Sequence, residues 1–151
     1  MQKFAAGVVG ILALACAVVA FAPAATGPER QYVAVLKVEY LPLQKAFTAA
    51  LGPCFFRRDM TLCKKSAPTA QTRAQRILRL LVRTTPPRRF RTADRNLERG
   101  VRALLNAYTP LMAAIDAADN GSFGASLVRL ATPIDTLSAK KAKAAHQQGF
   151  P

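Results

Sequence analysis

Between Leu97 and Leu137 the apolar residues recur at alternating steps of three and four, and this rhythm restricts the fold more than any other feature. Leu97, Val101, Leu104, Tyr108, Leu111, Ile115 and Ala118 make one run, and Phe123, Leu127, Leu130, Ile134 and Leu137 make the next. Such steps average close to the helical repeat, so each run forms one apolar stripe along a helix. Val33, Leu36, Tyr40, Leu43, Phe47 and Ala50 repeat the pattern upstream, and a shorter helix over 69–83 carries Ala70, Ala74, Ile77, Leu78 and Leu81 on one face. Four stripes joined by short connections predict an all-α, antiparallel four-helix bundle. The segment 32–40, rich in Val and alternating, also suits a strand.

Turn chemistry places the breaks. Gly52-Pro53 is expected to end the first helix, and Pro86-Pro87 to separate the second from the third. Thr92 is a candidate N-cap with Asp94 in the first turn, Asp119-Asn120-Gly121 supplies a stop, and Ser122 can cap the last helix. Pro42, Pro110 and Pro133 each precede a stripe residue without shifting its phase, which predicts helices kinked at proline. The rival is that Thr109 and Thr132 cap new helices with Pro at the first position; Thr132 with Asp135 makes a partial capping box.

The N-terminus bears on compartment. Lys3 precedes an uncharged run over 4–22, followed by the small residues of Ala22-Pro23-Ala24, which predicts a signal peptide over 1–24 cleaved after Ala24. A run of that length could instead remain as a membrane anchor facing outward, and Leu14-Ala15-Cys16 weakly resembles a lipoprotein site. All three readings place the rest of the chain outside the cytoplasm, secreted or periplasmic. Cleavage leaves 127 residues, enough for one domain over 25–142 followed by a flexible basic tail over 143–151. Cys54 and Cys63 are then the two remaining cysteines, expected to close a loop as one disulfide.

Catalytic patterns are poorly served. The single histidine, His146, sits in the Lys-rich tail, and no Ser, Cys or Thr has an oriented base beside it in any recognisable motif. Asp116 and Asp119 share a face at a helix end but lack the ligand alternation of a calcium loop. No cofactor or metal is expected. Asn120-Gly121-Ser122 matches a glycosylation sequon.

Charge is the feature that points to partners. Residues 57–102 carry fourteen Arg and Lys against Asp59, Asp94 and Glu98. At 100° per residue, Arg73, Arg76, Arg79 and Arg83 occupy an arc of about 120° opposite the apolar stripe. Arg88 and Arg89 follow in the connection, and Arg95, Arg99 and Arg102 cluster behind the third stripe. Arginine pairs with carboxylate and phosphate through a planar fork. The expectation is a non-enzymatic protein that binds an anionic partner: an envelope polymer, lipid headgroups or an acidic protein. The alternatives are a cationic membrane-active protein using its second helix as the amphipathic element and an extracytoplasmic enzyme with an unfamiliar site. A merely solvated basic face is the plain reading of the same charges. Nucleic acid is a poor fit, because Phe90 is nearly the only aromatic placed among the cations.

Overall fold

The structure is a computed structural model that describes residues 26–148; the expected signal segment and Cys16 therefore lie outside the described residues. It is an all-α bundle of four helices, with no strand among the described residues. Helix α1 comes in two halves, α1a (Gly27–Val35) and α1b (Leu41–Phe56), joined without a break by a π-helical turn at Leu36–Tyr40. Helix α2 spans Met60–Arg83, a 3₁₀ turn at Arg88–Phe90 leads into α3 (Arg91–Asp116), and α4 spans Asn120–Gln148. Short connections make sequential helices antiparallel neighbours, and the backbones of α1 and α2, α2 and α3, and α3 and α4 pack side by side. The α1–α4 side has no comparable backbone contact.

The first helix begins earlier than its stripe suggests. Thr26 and Glu29 form a complete capping box, with the Thr26 N–H donating to Glu29 Oε2 at 2.8 Å and Pro28 in the first turn. The strand alternative for 32–40 gives way to helix, because Tyr32, Val33, Leu36 and Tyr40 must all reach the core. The wide turn there has a local cause. Pro42 lacks an N–H and its ring crowds the carbonyl four residues back. Letting the Leu41 N–H reach back five residues to the Leu36 carbonyl opens the backbone just before it.

Gly52-Pro53 does not stop α1. The helix continues to Phe56 because Leu51 and Cys54 are core residues on either side of the pair. Helix α2 also starts nine residues ahead of its expected position: the Asp59 carboxylate caps it by accepting the Leu62 N–H at 2.9 Å. The Cys54–Cys63 bond therefore joins the last turn of one helix to the first of the next, with Cα atoms 4.6 Å apart. It is a clamp between helices rather than a bridge within a loop.

Helices α3 and α4 continue through Pro110 and Pro133. Thr109 and Thr132 consequently cap nothing; the Thr132 hydroxyl donates back to the Val128 carbonyl at 3.5 Å. Thr92 is no cap either, since the 3₁₀ turn feeds α3 directly and Phe90 holds the N-cap position. At the other end Asp119, not Ser122, caps α4: its Oδ1 accepts the Gly121 and Ser122 N–H groups at 2.9 and 3.1 Å. Helix α3 ends with Ala118 in the left-handed region at φ 52°, just before the expected stop. Helix α4 runs on to Gln148, so the basic segment from Lys143 begins as helix, and Ala144 still packs on the core.

The core takes large residues from all four helices, and the first half of α2 adds small ones, with Ala67, Ala70 and Ala74 wholly buried. On α3, Gly100 faces Leu137 of α4 so closely that a Cβ there would collide with the leucine side chain. Leu111, also wholly buried, should lose about 2–5 kcal/mol on change to Ala. A left-handed Ala costs about 1–2 kcal/mol, partly offset by the extra chain freedom of glycine in the unfolded state. Ala118→Gly is therefore expected to raise stability by about 0.5–1 kcal/mol. Chemical denaturation of both variants checks the pair.

Candidate functional site

Helices α2 and α3 are amphipathic because arginine and apolar residues alternate with the helical period, so packing the stripes inward turns the cations outward. Arg76, Arg79, Arg83, Arg88, Arg89, Arg95, Arg99 and Arg102 are exposed, and Arg73 is half-buried at the border of the face. The antiparallel arrangement sets the outward faces of two neighbouring helices, both carrying these arginines, side by side. Arg79 and Arg83 end α2 at the same end of the bundle where Arg91 and Arg95 begin α3, with Arg88 and Arg89 between them.

Very little neutralises this edge. Among the described residues, Arg102 with Glu98, at 2.7 Å, is the one ion pair formed by these nine arginines. Arg83, Arg95 and Arg99 direct their Nε–H groups to carbonyls of their own helices at 3.2–3.4 Å, and Arg99 also donates to Asn96 Oδ1 at 3.0 Å. Each still has donors facing water, since a guanidinium carries five N–H bonds. Arg89 lies over the Phe90 ring at 5.7 Å, a contact that leaves its charge in place.

Asp94, the acid expected to offset the third helix's charge, is turned inward. It is buried and accepts the Tyr32 hydroxyl at 2.6 Å, while Tyr32 stacks on Phe90 with ring centroids 5.6 Å apart. Burial pushes the Asp94 carboxyl above its ordinary value against the opposing effect of the Tyr32 hydrogen bond. The pair ties the start of α1 to the start of α3. Turned inward, this carboxylate forms no ion pair with any of the nine arginines.

A second feature has no counterpart in the sequence reading. A cleft enters the core between α1 and α4, where the two backbones stand apart. It has a free volume of about 60 Å³, or about 540 Å³ with its open mouth, and residues of all four helices line it. Phe47, Ile77, Leu104 and Ile134 are among its walls, and Ala74 forms part of it with only a methyl group. At the mouth the Lys141 ammonium donates to Gln44 Oε1 at 2.8 Å and sits 4.9 Å above the Tyr40 ring centre. No carboxylate among the described residues lies within ion-pair distance of it. Burial pulls its pKa down to about 8. Helical spacing could place Lys141 beside Ile134 and Leu137 on one face, but the sequence alone did not reveal that this face meets Tyr40 and Gln44.

The Tyr108 hydroxyl is buried without a hydrogen-bond partner among the described residues, and no cluster of three or more His, Cys, Asp or Glu among them could hold a metal. No helix among the described residues is long and apolar enough to cross a membrane. Asn120 of the sequon is exposed, at the first position of α4 rather than in the turn. No protein family, curated protein or solved structure matches this chain.

The buried titratable groups set an alkaline stability profile. The unfolded chain protonates Lys141 with its ordinary pKa of 10.5, whereas the folded chain has released that proton above about 8. Across that window the unfolded state holds more protons, so stability rises with pH. Tyr32, Tyr40 and Tyr108 act in the opposite sense, because burial holds their hydroxyls protonated above the ordinary value of 10.0. Stability should therefore climb from pH 8, peak near about pH 10 and then fall. Denaturant titrations across pH 7–11 should show the climb, and Lys141→Met should flatten it while leaving the fall.

Proposed function

We propose that this chain is an exported, non-enzymatic binding protein whose arginine edge on α2 and α3 attaches it to an anionic polymer of the cell envelope. The observation that carries the reading is the lack of neutralisation: of the nine arginines on α2, α3 and their connection, only Arg102 has a carboxylate partner among the described residues. Guanidinium groups spaced along two helices suit repeated carboxylate or phosphate groups, each contact modest alone and additive along a chain. Export rests on the N-terminal pattern, and the Cys54–Cys63 clamp suits an oxidising compartment.

Two observations favour a polymer over a bilayer. The apolar face of α2, from Cys63 to Leu81, is used up in the core. The large apolar side chains left outside are Val38 and Phe56 on α1, Val82 on α2 and Val128 on α4, scattered and not gathered into an insertion face. An acidic protein would meet the same edge, but charge alone would then have to supply specificity.

Polygalacturonate, a polymer of evenly spaced carboxylates, is a suitable probe. It should bind at 0.01 M salt and weaken as the screening length contracts from about 30 Å to 10 Å at 0.1 M. Changing Arg73, Arg76, Arg79 and Arg83 to Gln should lower affinity by about fourfold or more, taking roughly 0.2–1 kcal/mol per exposed pair. Changing Lys45, Arg129, Lys140 and Lys143 to Gln removes equal charge elsewhere and should change it less than about threefold. Equal losses in both variants would leave only net charge and no site. Tight binding to anionic phospholipid vesicles with dye release would instead favour the membrane-active alternative.

A further inference from the structure

In a bundle whose helices pack in the order α1, α2, α3, α4, the α1–α4 side lies opposite the arginine edge. There the backbones do not close on each other as the other neighbouring pairs do. The gap is bridged by side chains instead, with Tyr40 and Gln44 of α1 meeting Lys141 of α4. Behind this bridge the cleft narrows into an apolar interior between Phe47, Ile77, Leu104 and Ile134. We propose that this cleft is a binding site for a small monoanionic amphiphile, its hydrocarbon tail between α1 and α4 and its carboxylate on Lys141.

The chemistry of the mouth selects the head. Lys141 is held in place by an amide oxygen and an aromatic face, both neutral. A cation lodged against apolar surface with only neutral partners keeps most of its desolvation cost, and an arriving carboxylate relieves it. One ammonium matches one negative charge, so a dianionic head would bring an uncompensated charge into the cleft. The group is still protonated at pH 7, because burial lowers its pKa only to about 8. A neutral alcohol gains nothing from the charge, and an alkylammonium is repelled by it.

The interior selects the tail. Its free volume of about 60 Å³ is well under that of a site for a drug-sized ligand, so only a slim tail can enter, with the rest of the molecule in the open mouth. A single unbranched chain of moderate length fits that shape better than a ring system. The small side chain of Ala74 is what keeps the floor of the cleft open, since a larger residue there would fill it. This site is independent of the arginine edge and does not rest on the envelope-polymer reading.

The test compares octanoate, octanol and octylammonium by methyl NMR titration of the full mature chain at pH 7. Octanoate should shift Leu104, Ile134 and Leu137 methyl signals and bind at least about tenfold more tightly than octylammonium. Lys141→Met keeps the apolar stem and removes the charge; it should weaken octanoate about tenfold and leave octanol within about twofold. Ala74→Leu, with Val101→Phe as the substitute if that variant misfolds, should weaken octanoate and octanol alike. The Gln variant of Arg73, Arg76, Arg79 and Arg83 should bind octanoate like the parent. The proposal is overturned if Lys141→Met leaves octanoate affinity unchanged, if octanoate shifts no methyl lining the cleft, or if losing the four arginines abolishes its binding.

Discussion

The packing of α2 through alanine against α1, pinned at one end by the Cys54–Cys63 bond, is the constraint on which the rest of the molecule depends. Ala67, Ala70 and Ala74 leave no side-chain bulk between the helices, so the two can pack closely along their length. The cystine fixes their register by joining helix ends directly, and closing a ten-residue segment restricts the unfolded chain by about 3 kcal/mol on chain-entropy grounds. With the inner face of α2 committed in this way, its arginines can only face water. The same small residues leave the core short of volume midway along the bundle, where Ala74 meets the cleft.

The sequence showed the architecture because the stripes of α3 and α4 are long and uninterrupted. It misplaced boundaries where the stripe residue was small or the signal was local. The rhythm of α2 in fact extends back through Ala67 to Cys63 at the same three-and-four spacing. Read as loop residues beside Pro68, they gave no hydrophobic signal, and Asp59 was counted as a charge rather than a cap. Pro53 misled in the opposite direction: a proline in the last turn forfeits one backbone hydrogen bond, and the burial of Leu51 and Cys54 outweighs that loss. The capping box at Thr26 and Glu29 was legible but lay ahead of the first stripe residue.

The arginine edge was visible as a pattern, and the structure adds which charges are compensated. Asp94 looked like a surface acid and is buried under Tyr32. Two of the three acids in the basic region are therefore occupied elsewhere, Asp94 inside and Asp59 as a cap. The cleft was not visible at all. It depends on a long-range meeting of Gln44 with Lys141, 97 positions apart, which no local periodicity encodes. Lys141 stood in a run of lysines that resembled any solvated helix end.

An edge of unpaired guanidinium groups facing one way and a lysine-gated cleft facing the other give the molecule two chemically distinct surfaces on a clamped frame. If the edge is a localised contact surface and not one part of a diffuse positive charge, a bound polyanion marks its arginines and spares the others. Arginine Nε–H NMR signals report each guanidinium separately during titration with polygalacturonate. Shifts should concentrate at Arg76, Arg79, Arg83, Arg88, Arg89, Arg95 and Arg99, with Arg30 and Arg129 nearly unmoved. Shifts of equal size at all of these arginines would contradict a localised surface.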